Sequence, residues 1–205
     1  MSLSSRSLIS LLLLGVALGA CDKQSAPSGQ DNAATSGEVP TSGEAPASAG
    51  ADAKASYVID RSKAGTAPPD FVFADDKGKD VTLARFAGKP ILINLWATWC
   101  APCVAEMPQL DRIAGEYGKG GLQVLTISQD MQGPDKVLPF FTDKGFRTIK
   151  PWLDPENQFG LHYATGLLPT SVLYDAAGKE VARVTGALDW ESAEARKLID
   201  EAVGG

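Results

Sequence analysis

Residues 90–97 read Pro-Ile-Leu-Ile-Asn-Leu-Trp-Ala, an almost unbroken apolar run of the length of one strand. A strand apolar at successive positions points side chains away from water on both faces, so the run predicts a central strand in a sheet covered by helices. The following segment changes period. From 101 to 117 the apolar residues Val104, Met107, Leu110, Ile113 and Ala114 recur at helical spacing, and Gly118, Gly120 and Gly121 end the pattern. Pro108 is expected to kink this helix. Residues 122–128 alternate as a second core strand, and 135–144 read as a helix despite Pro139, so strand, helix and strand form a right-handed parallel crossover.

Upstream, residues 68–73 are an extended entry, 75–80 a turn about Gly78, and 81–83 a short strand, together a hairpin ahead of the central strand. Downstream, 156–163 is a short helix, strands 170–174 and 180–185 flank the turn 175–178, and 189–203 is a final covering helix. The fold class is α/β, with 149 residues from Tyr57 to Gly205 forming one domain able to bury a proper core.

The first 56 residues are of another kind. Arg6 precedes an uncharged stretch over residues 8–20 with Leu11 to Leu14 in a row and small residues at Gly19 and Ala20, the pattern of a secretory signal peptide. As a helix the 13 apolar residues extend about 20 Å, short of a bilayer core of roughly 30 Å. Leu18-Gly19-Ala20-Cys21 resembles the lipobox of bacterial lipoproteins, which implies cleavage before Cys21 and acylation of its thiol. Asp22 after it resembles an inner-membrane retention signal. Of the 35 residues 22–56, 24 are Ala, Ser, Gly, Pro or Thr and none is aromatic. Such a segment cannot bury enough apolar surface to offset its chain entropy and reads as a disordered tether, with a reach of roughly 30 to 35 Å. The expected organisation is therefore a leader over 1–20, a lipidated tether over 21–56 and a folded domain over 57–205, on the periplasmic face of a bacterial inner membrane.

Nineteen Lys and Arg against 25 Asp and Glu give a net charge of −6, which offers no general attraction to nucleic acid. With Cys21 assigned to lipid, Cys100 and Cys103 remain an isolated pair, so no structural disulfide framework exists. One histidine, His162, and three cysteines would nearly all be needed for a tetrahedral zinc site, and no metal site is expected. Gly115, Gly118, Gly120 and Gly121 do not form a dinucleotide fingerprint, so neither a nicotinamide nor a flavin site is visible.

The chemistry lies where the buried strand meets the first helix. Trp99-Cys100-Ala101-Pro102-Cys103 sets two thiols three positions apart at a helix start, where unpaired amides and the positive dipole end favour a thiolate. Cys100 at the cap is the expected nucleophile. Cys103, one turn further and inside the helix, is suited to resolve a mixed disulfide. Pro102 sits in the first turn, where its missing N–H does no harm.

This Trp-Cys-x-Pro-Cys after an apolar strand resembles the active-site signature of the thioredoxin superfamily. Three further segments, Asn94-Leu95-Trp96-Ala97-Thr98-Trp99-Cys100, Cys103-Val104-Ala105-Glu106-Met107-Pro108 and Gly166-Leu167-Leu168-Pro169-Thr170, resemble the membrane-tethered TlpA-like thiol-disulfide oxidoreductases, over nearly all of residues 65–203. The resemblance implies a thioredoxin-like fold, a central mixed sheet flanked by helices with an N-terminal β-hairpin extension. It implies a protein disulfide reductase whose redox centre is its own Cys100–Cys103 disulfide, of the group that includes reductases serving cytochrome c maturation. The implied partners are oxidised cysteine-containing proteins and an electron donor, either a membrane reductase or a thioredoxin-like protein; a monomer is expected.

Where thioredoxin has a buried aspartate, this chain has Asn94, which accepts no proton at neutral pH. Glu106, a turn beyond Cys103, is the expected substitute, able to raise the thiol's pKa and relay its proton. Its alternative is a solvent-facing place on an amphipathic helix. The resemblance implies a cis bond between Leu168 and Pro169, which would offer backbone groups to an extended substrate strand beside Cys100. Trp99 is expected to shield the sulfurs and contact the partner, while Trp96, Trp152 and Trp190 read as core or boundary aromatics and His162 as a surface or helix residue. Two readings from other classes stay open on the residues alone. One is a copper-binding assembly factor of the same superfamily, although that family spaces its cysteines by three residues and adds a histidine. The other is a non-redox module closed by a permanent disulfide. Disulfide donation, the reverse direction of the same exchange, is likewise open.

Overall fold

The computed structural model describes residues 57–205; the expected leader, Cys21 and the tether lie outside the described residues. In chain order the elements are β1 (Val58–Asp60), β2 (Phe73–Ala74), β3 (Asp80–Val81), β4 (Ile91–Trp96), α1 (Ala101–Tyr117), β5 (Gln123–Ser128), α2 (Pro134–Lys144), β6 (Pro151–Leu153), α3 (Gln158–Tyr163), β7 (Thr170–Tyr174), β8 (Glu180–Thr185) and α4 (Ala193–Gly204). The eight strands form one sheet in the order β1-β8-β7-β4-β5-β6-β2-β3. Strands β4, β5 and β6 run parallel, and the remaining pairs are antiparallel, which makes the sheet mixed.

The apolar run forms the centre of the sheet. All six residues of β4 are buried, between β5 on one side and β7 on the other. Side chains of a strand alternate between faces. Leu92 and Trp96 therefore pack with Cys103, Met107, Leu110 and Ile113 of α1 and Leu198 and Ile199 of α4, while Ile91, Ile93 and Leu95 pack on the other side with Phe159 and Tyr163 of α3. Asn94 shares the first face, so the strand period alone points its amide at α1. Each of these fully buried aliphatic side chains contributes roughly 1.5 to 3 kcal/mol of transfer free energy.

The structure departs from the expected elements in several places. Leu83 belongs to a 3-10 turn over Leu83–Phe86 and not to the strand, which ends at Val81. The hairpin of β2 and β3 lies at one edge of the sheet, joined through β6, whereas β1, unforeseen, closes the opposite edge against β8. Both β1 and β6 are three residues long, too short for any period to show. The first helix continues as an α-helix through Pro108, whose ring is exposed. Helix α3 starts two residues late because Asp154 supplies its N-terminal acceptors, taking the N–H groups of Gln158 (3.1 Å) and Phe159 (3.0 Å). Helix α4 starts at Ala193 because Ser192 caps it, its hydroxyl accepting from the Ala195 N–H at 3.2 Å.

Candidate active site

Cys100 is the N-cap of α1, in extended conformation, and its sulfur accepts from the Cys103 N–H at 3.4 Å. Pro102 occupies the first turn and is exposed. The two cysteines form a disulfide with Cα atoms 5.3 Å apart. Their surroundings differ: Cys103 is 0% exposed and packed in the core, whereas Cys100, at 6%, borders an open groove. An incoming partner therefore meets the Cys100 sulfur, and the helix start supplies amides that stabilise it as a thiolate.

The loop before Cys100 is clamped by a residue that the sequence did not single out. Asp130, just beyond β5 and buried, accepts from the Thr98 N–H (2.9 Å), the Thr98 hydroxyl (2.7 Å) and the Ser128 hydroxyl (2.7 Å). Replacing Asp130 by alanine leaves these donors, the Ser128 hydroxyl buried and those of Thr98 half-buried, without their acceptor. The expected loss is about 3 kcal/mol of stability, with slower exchange at Cys100, read by urea denaturation and by single-turnover kinetics.

Glu106 is buried, not solvent-facing, at 4% exposure. One carboxylate oxygen accepts from the Asn94 amide at 2.6 Å and the other from the Trp190 indole N–H at 3.3 Å, and the Asn94 amide also donates to the Ser171 hydroxyl at 3.0 Å. Burial pushes the Glu106 carboxyl up to about 8, with the two N–H donors drawing it part of the way back. Glu106 and Cys103 lie three residues apart on one helix face, a spacing of roughly 5 to 6 Å between Cβ atoms. Asn94 thus fixes one oxygen of the Glu106 carboxyl from the central strand.

The peptide bond between Leu168 and Pro169 is cis. Pro169 is buried, its carbonyl accepting from the Gly186 N–H at 2.9 Å, while Leu168 lines the same groove as Cys100. This groove, about 840 Å³, runs along the carboxyl ends of β4 and β5 between the active-site loop, residues 155–161 and residues 164–168. Trp99, Met131, Leu161 and Leu167 line it, and they are four of the six large apolar side chains most exposed among the described residues. Trp99, at 72% exposure, stands out from the surface and does not pack in the core. Gln129 also borders the groove, its amide donating to Asp154 at 3.2 Å.

Sequence reasoning missed Met131, Leu161 and Leu167, although the placement of binding sites beyond the carboxyl ends of parallel strands was a usable signal for Met131, three residues past β5. No local signal marked Trp190, which is 84 residues from Glu106. Trp96 is in the core as expected, and Trp152 is half-buried with its ring edge-on to Phe73 and Phe86. His162 is exposed and packs edge-on against Phe71 and Tyr163.

Known proteins share this arrangement. Residues 63–199 match the family model described as Redoxin. The thiol-disulfide oxidoreductase ResA of Geobacillus thermodenitrificans is 32% identical over 127 residues, 62% of this chain and 72% of the relative. Among solved structures, a protein from Chlorobium tepidum assigned as thiol:disulfide interchange protein DsbE superposes with a TM-score of 0.63 at 26% identity, over 69% of this chain and 98% of that one. The exposed lipoprotein thioredoxin Etrx1 of Streptococcus pneumoniae superposes with a TM-score of 0.53 at 28% identity, over 64% of this chain and 99% of that one. A buried strand leading into a helix capped by a disulfide-bonded cysteine, and a family match over two thirds of its length, together establish that the chain belongs to the redoxin family, on a thioredoxin-like fold.

Proposed function

We propose that this thiol-disulfide oxidoreductase works as a protein disulfide reductase on the extracytoplasmic face of a bacterial membrane, held there through acylated Cys21 and its tether. The observation that carries the direction is the buried Glu106 carboxyl behind the disulfide. The burial that keeps the Glu106 carboxyl protonated to about pH 8 equally disfavours a charged Cys103 sulfur beside it, and a dithiol whose thiolates are poorly stabilised gives up its electrons readily. The lipobox-like segment supports the anchor, and likeness to an exposed lipoprotein thioredoxin agrees with it.

In this reading the Cys100 thiolate attacks a partner disulfide, one partner sulfur leaves, and a mixed disulfide forms. Cys103 then transfers its proton to Glu106 and attacks the Cys100 sulfur, so that the partner's second sulfur leaves as a thiolate and both electrons have passed to the partner. With its carboxyl at about 8, Glu106 keeps its proton in most molecules at neutral pH, and the ionised fraction takes the proton of Cys103, so this step speeds up as pH rises through about 8. Trp99 and the groove hold the partner chain, with Leu168, which precedes the cis bond to Pro169 and lines the groove, offering it backbone contacts. A membrane reductase or a thioredoxin-like protein restores the dithiol.

The equilibrium reduction potential of residues 57–205 in dithiothreitol and glutathione buffers tests the direction. The expected value is close to the about −270 mV of thioredoxin; a value near the about −120 mV of DsbA would turn the assignment to disulfide donation. Replacing Cys21 by alanine is expected to release the chain from the membrane fraction.

A further inference from the structure

A carboxylate removed from water is costly unless its oxygens find donors. Glu106 has one donor on each oxygen, and the two are held differently. Asn94 is fixed by the central strand. Trp190 comes from the segment between β8 and α4, which belongs to neither element, so something else must hold its indole in place.

That support is a row along α1. Gln109 accepts from the Trp190 backbone N–H at 2.9 Å, Arg112 donates twice to the neighbouring Glu191 at 2.7 and 2.8 Å, and Glu116 accepts from Arg196 of α4 at 2.6 and 3.2 Å. Residues 106, 109, 112 and 116 follow at steps of three and four, so they form one stripe on the helix. Every member of the stripe is bonded to the stretch 190–196. The indole itself is 0% exposed. Its N–H is thus delivered to Glu106 by a backbone that is registered against the same helix.

We propose that Trp190 is a positioning residue for thiol-disulfide exchange: its indole N–H, registered by the stripe on α1, holds the Glu106 carboxylate ready for the proton of Cys103. The proposal rests on Glu106 being the proton acceptor. The surroundings of the carboxylate leave this donor little competition. Asn94 faces it from β4 with Ser171 of β7 behind, Trp190 faces it from the segment before α4, and Cys103 is the titratable group one turn away on α1. Among the described residues no charged side chain contributes to the carboxyl's displacement from its ordinary value. When Cys103 gives its proton to Glu106, its electron pair forms the bond to the Cys100 sulfur, and the bond from Cys100 to the partner breaks with the pair leaving on the partner sulfur.

The test uses the full chain, with Cys100 loaded as a mixed disulfide with thionitrobenzoate and release of the coloured thiol followed against pH. Trp190 is replaced by phenylalanine and, separately, by benzothienylalanine, an isostere that exchanges the N–H for sulfur and preserves the packing if phenylalanine does not. The carboxylate loses a donor, so the inflection of the rate profile is expected to move up by about one pH unit, a tenfold change in proton affinity. Glu106→Gln is expected to leave only the inflection of the Cys103 thiol itself, removing that of the carboxyl, and adding Trp190→Phe to it is expected to change nothing more. An inflection lost in Glu106→Gln but unmoved in the isostere overturns the role of Trp190 alone. A profile left unchanged in Glu106→Gln removes the reading of Glu106 itself, and the proposal with it.

Discussion

Replacing Cys103 by serine is expected to abolish turnover and to leave the protein covalently joined to its partner, as a band that disappears on reduction in a denaturing gel. Replacing Cys100 is expected to give neither turnover nor adduct. The asymmetry follows from burial: the sulfur of Cys103 has no exposure, so it cannot meet a partner, yet its Cα is 5.3 Å from that of Cys100. An intramolecular thiol so placed acts at an effective concentration of up to about 10⁵ M, against millimolar external thiols. Without it, release of the partner is expected to fall by at least about 10³-fold. An adduct formed by the Cys100 variant, or normal turnover by the Cys103 variant, would reverse the assignment of the two roles.

The second large effect is a change in how stability depends on pH. In the folded state the Glu106 carboxyl lies at about 8, and in the unfolded chain at its ordinary value of 4.5. Between these values the folded state binds a proton that the unfolded state does not. Its stabilising part is therefore complete below about pH 4.5 and is lost as pH rises through 8, at up to about 1.4 kcal/mol per unit and roughly 5 kcal/mol in all. Glu106→Gln removes this component. The variant's stability relative to the parent, from urea denaturation at a series of pH values, is expected to climb from pH 5 to about pH 8 and to level off by pH 9. A flat difference across that range would mean that the carboxyl is not held protonated by its surroundings. At neutral pH the same variant is expected to resolve mixed disulfides about 10²-fold more slowly, the usual lower bound for a lost general base.

Much of the site was legible because its parts are neighbours in sequence. Residues 90–106 contain the central strand, the nucleophile, the resolving thiol and the carboxylate, and a change of period from continuous apolar to helical divides them. Helix α1 and strands β7 and β8 were bounded correctly for the same reason, since strong periodicity and Gly-containing turns lie within each window. What could not be read depends on folding itself. Trp190 looked like a core aromatic, and it is one; its second role exists only because α1 and the stretch before α4 lie against each other. Asp130 resembled any acidic residue after a strand, and its value comes from Thr98, 32 residues earlier. The short strands β1 and β6 owe their existence to pairing with neighbours and carry little pattern of their own.

The register of the sheet also gives the domain a polarity. Val58 pairs with Thr185, Thr185 with Thr170, and Thr170 with Leu95, so these four residues form one row across β1, β8, β7 and β4. Leu95 is five residues before Cys100. The chain thus enters its first strand at the same end of the sheet at which the disulfide lies, not at the far end. The start of β1 and the reactive cysteine pair therefore share one pole of the domain, and any segment attached ahead of Tyr57 joins the domain at that pole.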